Sequence, residues 1–441
     1  MFARSYHPLT FCFIGFGWLV LASILGLAML VGLVGGTPLP QWVRALHVHA
    51  VLVGGVAQIM LGGFLLLIPP PHSVDRRESA FRPFTLWAMN GGVIGMLVGF
   101  WLRQDIVVGG AGFVVIAAFL SVIHTIWGRV RDSWTASFGD SWYYTLSLLA
   151  LVGGSAFGEI AAYGLMPESY GYVRLAHIHL AVLGFVVLAI VGMMHRILST
   201  VWNTPFVRPG LAQPVMVTMA IGVTVLIGGF LNSSVFVEMA GGGILFIGGA
   251  LLIGDLFSAW RSSTHTSNAA SDHLLISGFF LLFTIMLGVL VGANNLSSPQ
   301  TLPYGKLHLV AYTHMTFVGF VVNAVMGAFS YLVPATLAAH RVSNSKKRGP
   351  YFDRLTAIMN RWRTVQIAAL SLGTMGLGIL AALAWNVPLT SVYIRTALWT
   401  CLGLILTSIL IFSVKLTAAV AKQPEALVTP HISPEELKLT A

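Results

Sequence analysis

The chain has 441 residues, of which 56% are hydrophobic and only 9% are charged, and its formal net charge is +10 at pH 7. Because a soluble domain carries roughly 25% charged residues, this composition excludes a soluble globular protein and predicts an integral membrane protein. The chain has two cysteines, no CxxCH motif and no Walker-type loop. These features argue against a disulfide framework, a c-type heme and P-loop nucleotide binding.

Apolar stretches predict an all-α polytopic bundle of about 12 transmembrane helices. In chain order the predicted spans are 11–35, 46–69, 83–102, 106–127, 140–164, 175–198, 214–232, 237–260, 273–293, 306–337, 363–385 and 389–415. They fall into three blocks of four, at about 11–127, 140–260 and 273–415. We therefore expect a single membrane domain of three pseudo-repeats, followed by a short cytoplasmic tail at 416–441.

The placement of basic residues predicts the orientation of the bundle. Most Lys and Arg residues fall on the side of the two chain termini, including the basic stretch 338–362, which we interpret as a loop. Cytoplasmic loops carry such an excess, so both termini are predicted to be cytoplasmic, in a membrane expected to be the bacterial inner membrane. The positive charge is then explained by topology and by contact with anionic lipid, and nucleic acid is not an expected partner.

One motif opens the second span of each block. It reads HVHAVLVGG, HIHLAVLGF and YTHMTFVGF, and two glycines follow eight residues apart in each copy. The shared positions are His47 and His49 with Gly54 and Gly62, His177 and His179 with Gly184 and Gly192, and Tyr312 and His314 with Gly319 and Gly327. Self-similarity of this kind indicates one structural unit used three times. Histidines inside apolar helices are costly, so each one is a functional candidate.

The spacing of the histidines limits what they can bind. Residues two apart on a helix point about 200° away from each other, so one small metal ion cannot easily take both members of a pair. Two cofactors on opposite sides of one helix can, and a heme needs one or two axial nitrogens. We therefore expect His47, His49, His177, His179 and His314 to ligate two hemes near the extracytoplasmic face. Interhelical hydrogen bonding is the alternative role.

Other residues are weaker candidates. Arg44 and Arg174, each three residues before the first histidine of a pair, either meet heme propionates or extend to lipid headgroups. His308, one turn before Tyr312, is a further cofactor-binding candidate, and Tyr312 is either a lost ligand or a phenol in the same pocket. Glu159 is the candidate proton acceptor unless it sits in water at the end of its span. Three further histidines, His124, His195 and His273, are interpreted mainly as interfacial residues.

The segment from His47 through Gly54 and Gly62 to Pro69 resembles the HVHxxxLG helix of cbb-type oxidases and nitric oxide reductases, in the heme–copper oxidase subunit I superfamily. That family has twelve spans in three arcs of four, with cytoplasmic termini, and the two histidines of this helix ligate two different hemes. The resemblance implies that His47 with His49, and His177 with His179, do likewise.

Two departures limit this resemblance. The family carries its HxH in the tenth span, whereas here the second and sixth spans carry it. The family also has an HH pair in the span after the sixth, whereas segment 214–232 has no histidine. Copper therefore remains a candidate cofactor without an HH pair to support it. A second resemblance is to the NnrS family, heme- and copper-containing proteins of twelve spans linked to nitric oxide stress, which open a span with HxHxxxxG.

Together these patterns predict a protein that binds heme b, with a role in electron transfer or in oxygen or nitric oxide chemistry within a respiratory membrane. Oxidoreductase activity is left open, because the family's active-site motif is incomplete. The expected partners are membrane lipid, a cytochrome or quinol electron donor, and other membrane subunits. The alternatives are an NnrS-like gas-binding or stress protein without turnover and a heme-free transporter. Transporters are often built from two repeats of five or six spans, so three repeats of four disfavour the transporter.

Overall fold

The computed structural model describes residues 6–68, 83–133, 140–203, 209–264, 267–294, 296, 311–383, 387–388 and 390–424. Within these ranges the chain forms 13 helices and no β-strand. The helices are α1 (Pro8–Val34), α2 (Gln41–Leu67), α3 (Pro83–Leu102), α4 (Asp105–Ser133), α5 (Asp140–Ala162), α6 (Pro167–Trp202), α7 (Pro209–Leu231), α8 (Val235–Ser262), α9 (Ala269–Asn294), α10 (Ala311–Arg341), α11 (Ser345–Asn360), α12 (Arg363–Leu383) and α13 (Val392–Ala421).

Every described helix except α11 is long and apolar enough to cross a membrane, which gives 12 spans. The predicted all-α polytopic bundle is confirmed, and the chain is an integral membrane protein. Large apolar side chains cover the outside of the bundle, for example Trp87 and Phe236, which are 69% and 79% exposed. Soluble proteins rarely expose apolar surface on this scale, so this surface contacts lipid.

The second helix of each repeat, namely α2, α6 and α10, lies at the centre of the bundle. In the most apolar 18-residue stretch of each span, 67% of the residues are buried in α2, 67% in α6 and 78% in α10. In the other nine spans the buried share is 44% or less. The three central helices contact one another, and each packs on the first helix of its own repeat, α1, α5 or α9. The histidine motif therefore lies on the three helices that are shielded from lipid.

The motif glycines let each central helix approach the preceding helix closely. A Cβ at Gly54 would lie 2.9 Å from the Trp18 ring and one at Gly184 would lie 2.6 Å from Ala150, while Gly319 sits against Phe280. The second glycines repeat this relation, with Cβ distances of 2.8 Å from Gly62 to Cys12, 2.7 Å from Gly192 to Tyr143 and 2.8 Å from Gly327 to Leu274. In all three repeats the contacted residues lie on the preceding helix, α1, α5 or α9, so each central helix packs on its neighbour through the same two glycines.

Each central helix contains a π-helical segment, which the sequence did not predict. The segments are Ala50–Ala57, Leu180–Val187 and Met315–Val322, each of 8 residues. Each begins at the residue after the second histidine of its motif, His49, His179 or His314. π-helical turns are rare and frequently occur at functional sites. Three of them at equivalent positions therefore indicate that the functional site lies near the histidine motifs.

The predicted basic loop 338–362 is wrong in part, because α10 continues to Arg341 and Ser345–Asn360 forms α11. The Asn344 side chain caps α11 by accepting a 3.0 Å hydrogen bond from the Lys346 N–H. The Arg341 guanidinium donates to the carbonyl oxygens of Val420 and Lys422, both at 2.9 Å. The basic stretch therefore forms a helix packed against the ends of α10 and α13, and α13 extends into the predicted tail as far as Ala421.

Candidate functional site

The histidines of the first two motifs are anchored in the same way. The first of each pair reaches the preceding helix: His47 Nδ1 lies 2.9 Å from the Ala22 carbonyl oxygen, and His177 Nδ1 lies 2.7 Å from that of Gly154. The second bonds one turn back on its own helix, with Nδ1 2.8 Å from the carbonyl of Ala45 for His49 and of Leu175 for His179. A carbonyl only accepts, so Nδ1 carries the proton and Nε2 keeps its lone pair.

The Nε2 atoms of these four histidines have no hydrogen-bond partner among the residues that the structure describes. All four side chains are partly exposed although they lie on the central helices. A fixed Nδ1–H sets the tautomer and aims Nε2, as it does in histidines that ligate metals.

The first position of each motif rests on a glycine of the preceding helix. A Cβ at Gly26 would lie 2.8 Å from His47 Cε1, and one at Gly158 would lie 2.9 Å from His177 Cε1. In the third repeat, a Cβ at Gly288 would lie 3.4 Å from the Tyr312 hydroxyl oxygen. The three glycines occupy equivalent positions on α1, α5 and α9, so Tyr312 takes the place of the first histidine.

The structure pairs histidines between repeats. The rings of His49 and His177 lie with their centroids 6.4 Å apart and their planes 15° from parallel. His47, on the other side of α2, is close enough to His314 for the two imidazoles to interact electrostatically. Each pair joins the second position of one repeat to the first position of the next. Of the two, only His49 and His177 form a measured ring pair, between α2 and α6; the direct contacts of the His47 ring are with Ala22 and Gly26 of α1.

Phenylalanines cover the second histidines of repeats 1 and 2. The His49 and Phe100 centroids are 4.6 Å apart with the rings tilted by 42°, and those of His179 and Phe230 are 4.7 Å apart with a tilt of 46°. Phe100 lies near the end of α3 and Phe230 near the end of α7, the third helix of each repeat. Because the same contact is made in both repeats, both imidazole orientations are fixed by packing as well as by the Nδ1 hydrogen bond.

The remaining predicted site residues lie around these pairs. The Arg44 and Arg174 side chains are exposed about one turn before the first histidines. Glu159 follows Gly158 on α5, but its carboxylate contacts Gly112 of α4, and its Oε2 is buried without a hydrogen-bond partner in the described chain. His308 lies outside the described residues. No group of three or more His, Cys, Asp or Glu side chains able to hold a metal ion occurs in the ranges described.

Sequence reasoning missed a buried polar chain in the third repeat. His273, predicted to be interfacial, is fully buried; its Nδ1 lies 2.8 Å from Asn323 Oδ1 and its Nε2 3.0 Å from Gln366 Nε2. The Lys415 ammonium, which is 4% exposed, donates to Gln366 Oε1 at 2.5 Å. His195 is also buried, with its ring centroid 5.2 Å from that of Tyr143. Both interfacial predictions are wrong because position along a span does not say which side of the helix faces lipid.

No protein-family model matches the chain, and no curated protein sequence matches it. The fold defines an all-α integral membrane protein with 12 spans among its described residues, and its central helices α2 and α6 bring one pair of imidazole rings together.

Proposed function

We propose that this membrane protein binds two hemes through histidine pairs and transfers electrons between them. The observation that carries the proposal is the pair His49 and His177, with ring centroids 6.4 Å apart and near-parallel planes. The second pair, His47 and His314, supplies the other site. The resemblance of the His47 segment to the heme–copper oxidase superfamily supports the same cofactor.

The first pair could supply nitrogen ligands to one cofactor. The ring centroids of His49 and His177 lie 6.4 Å apart with their planes 15° from parallel, and the Nε2 of each has no hydrogen-bond partner among the described residues. Both imidazoles would therefore be available to hold a heme between α2 and α6.

The chemistry of the donors fits as well. A heme held by two imidazoles supplies one-electron redox chemistry, with a potential set by ligand hydrogen bonding and burial. Here the Nδ1–H donors of His47, His49 and His177 fix the imidazole tautomers. If both histidines of each pair held a heme, the chemistry supplied there would be one-electron transfer. The exposed Arg44 and Arg174 are placed to pair with heme propionates.

The arrangement on α2 supports transfer between the two sites. His47 and His49 are two residues apart and face different gaps, so one helix contributes a ligand to each site. The two sites would then lie on opposite sides of one helix, about 10–12 Å in diameter. A cytochrome or quinol would supply electrons, with the chain in a bacterial inner membrane and its termini and basic α11 on the cytoplasmic side. Copper has no part in this proposal.

The heme-free transporter is the competing function, and heme content decides between them. The detergent-purified protein is expected to show a Soret band that shifts on dithionite reduction, and a pyridine hemochrome assay should detect heme b. His177→Ala and His47→Ala should each remove one heme per chain, because each breaks a different pair. His124→Ala is the control, since His124 is exposed on α4. A colourless wild-type protein from a heme-replete host would refute the proposal and favour the transporter.

A further inference from the structure

The third gap between central helices, between α6 and α10, differs from the other two. By equivalence with His49 and His177, its two positions are the second of repeat 2, His179, and the first of repeat 3, Tyr312. Resting on the function proposed above, we propose that this gap binds a third heme through His179 alone. Tyr312 then leaves the opposite axial position open to a small gas ligand.

His179 has every feature of the paired histidine at the same position in repeat 1. Its Nδ1 lies 2.8 Å from a carbonyl one turn back, as does that of His49. Its ring lies 4.7 Å from Phe230, against 4.6 Å between His49 and Phe100. Its Nε2 has no hydrogen-bond partner in the described part of the chain. A ligand imidazole is therefore prepared in a gap where the partner repeat offers no second imidazole.

Tyr312 occupies the place of that second imidazole. Its ring lies against Gly288 as His47 lies against Gly26 and His177 against Gly158. A protonated phenol is a much weaker ligand for iron than imidazole. It can instead donate a hydrogen bond to a molecule bound opposite His179.

A second polar group at this position also distinguishes the gap. Thr284 is four residues before Gly288, at the position that Ala22 holds before Gly26 and Gly154 before Gly158. Its side chain is 0% exposed, and its hydroxyl has no hydrogen-bond partner among the described residues. The third repeat thus has the Tyr312 hydroxyl where the other repeats have an imidazole. It also has the Thr284 hydroxyl where the other repeats have a residue with no polar side-chain atom.

Heme stoichiometry and spin state test this inference separately from the proposed function. The wild-type protein should contain three hemes per chain, two low-spin and one high-spin in the ferric electron paramagnetic resonance spectrum. The dithionite-reduced protein should bind one carbon monoxide per chain. His179→Ala should lower the count from three to two and abolish both the high-spin signal and carbon monoxide binding.

Tyr312→His gives the sharper test, because it restores the pair present in the other gaps. This variant should keep three hemes, convert the high-spin signal to low-spin and lose carbon monoxide binding. Tyr312→Phe is the matched control and should stay high-spin. Two low-spin hemes that His179→Ala leaves unchanged would overturn the inference while the proposed function stands, and no heme at all would overturn both. If the third heme is low-spin in the wild type and high-spin only in Tyr312→Phe, Tyr312 is itself a ligand. That result would refute the inference that the position opposite His179 is open.

Discussion

A single methyl group on Gly158 is predicted to weaken the proposed heme site of His49 and His177 and to leave that of His47 and His314 intact. The Cβ of Gly158→Ala would lie 2.9 Å from both Cε1 and Nδ1 of His177. To reach the 3.5–4.0 Å of an ordinary carbon contact, the ring must move by about 0.6 Å or more. That displacement draws Nδ1 away from the Gly154 carbonyl, which it contacts at 2.7 Å.

The size of the effect follows from the lost support of the ligand. Removing the hydrogen-bond partner of a ligand histidine typically lowers metal affinity by about 10–100-fold. We therefore expect heme affinity in the gap between α2 and α6 to fall by about that factor, with no change at the site of His47 and His314. The assay is titration of heme into apoprotein in detergent, followed by the low-spin Soret absorbance, so that the two low-spin sites are resolved as separate phases.

Gly153→Ala is the matched control on the same helix. Its Cβ would lie 3.6 Å from Leu180, an ordinary contact. This variant should bind heme like the wild-type protein, which separates the steric effect on His177 from any general effect of removing a glycine from α5. Gly158→Ala with wild-type affinity at both sites would refute the role assigned to the Gly158 contact.

Two further predictions concern stability. Gln366→Leu removes the acceptor of the buried Lys415 ammonium, and it should destabilise the protein by about 2–3 kcal/mol. The measurement is the thermal unfolding midpoint in detergent, which should fall for Gln366→Leu and stay unchanged for the exposed control Gln104→Leu. An unchanged midpoint in Gln366→Leu would contradict the prediction. Burial and the nearby His340 lower the pKa of His7, whose Nδ1 accepts a 3.2 Å hydrogen bond at the start of α1. Its stabilising effect should be complete above its ordinary pKa of about 6.5 and lost as pH falls below it. His7→Asn keeps a capping acceptor that does not titrate, so its thermal midpoint should fall less on acidification than that of the wild type. An equally large fall in His7→Asn would refute the role assigned to His7.

The twelve spans and the triplicated motif could be predicted from the sequence, because apolar length and fixed spacing are local properties. The approximate depth of His47 and His177 followed from the same spacing. The pairing of His49 with His177 did not, since it depends on how α2, α6 and α10 pack against one another. The spacing showed that two histidines of one helix face different sides, but not which repeat each one faces.

The π-helical segments and the buried His273 escaped prediction for different reasons. A π-helical turn inserts an extra residue into a helix without a signal in the hydrophobic pattern, and Ala50–Ala57 is apolar throughout. His273 lies near the start of its span, where an interfacial role is common, yet its hydrogen bond to Asn323 comes from a residue 50 positions away. A lysine at position 415, inside an apolar segment, was the available signal, because an intramembrane charge requires a partner.

In the proposed arrangement, one substitution can specialise one site. Each proposed site would take one position from each of two repeats, as the ring pair of His49 and His177 does, so no repeat would build a site alone. Each central helix would in turn contribute to two sites. A change at one position would therefore alter one site and leave the other two intact. Tyr312 would be such a change, because it would affect the site of His179 and leave His314, two residues further along the same helix, able to serve the site of His47.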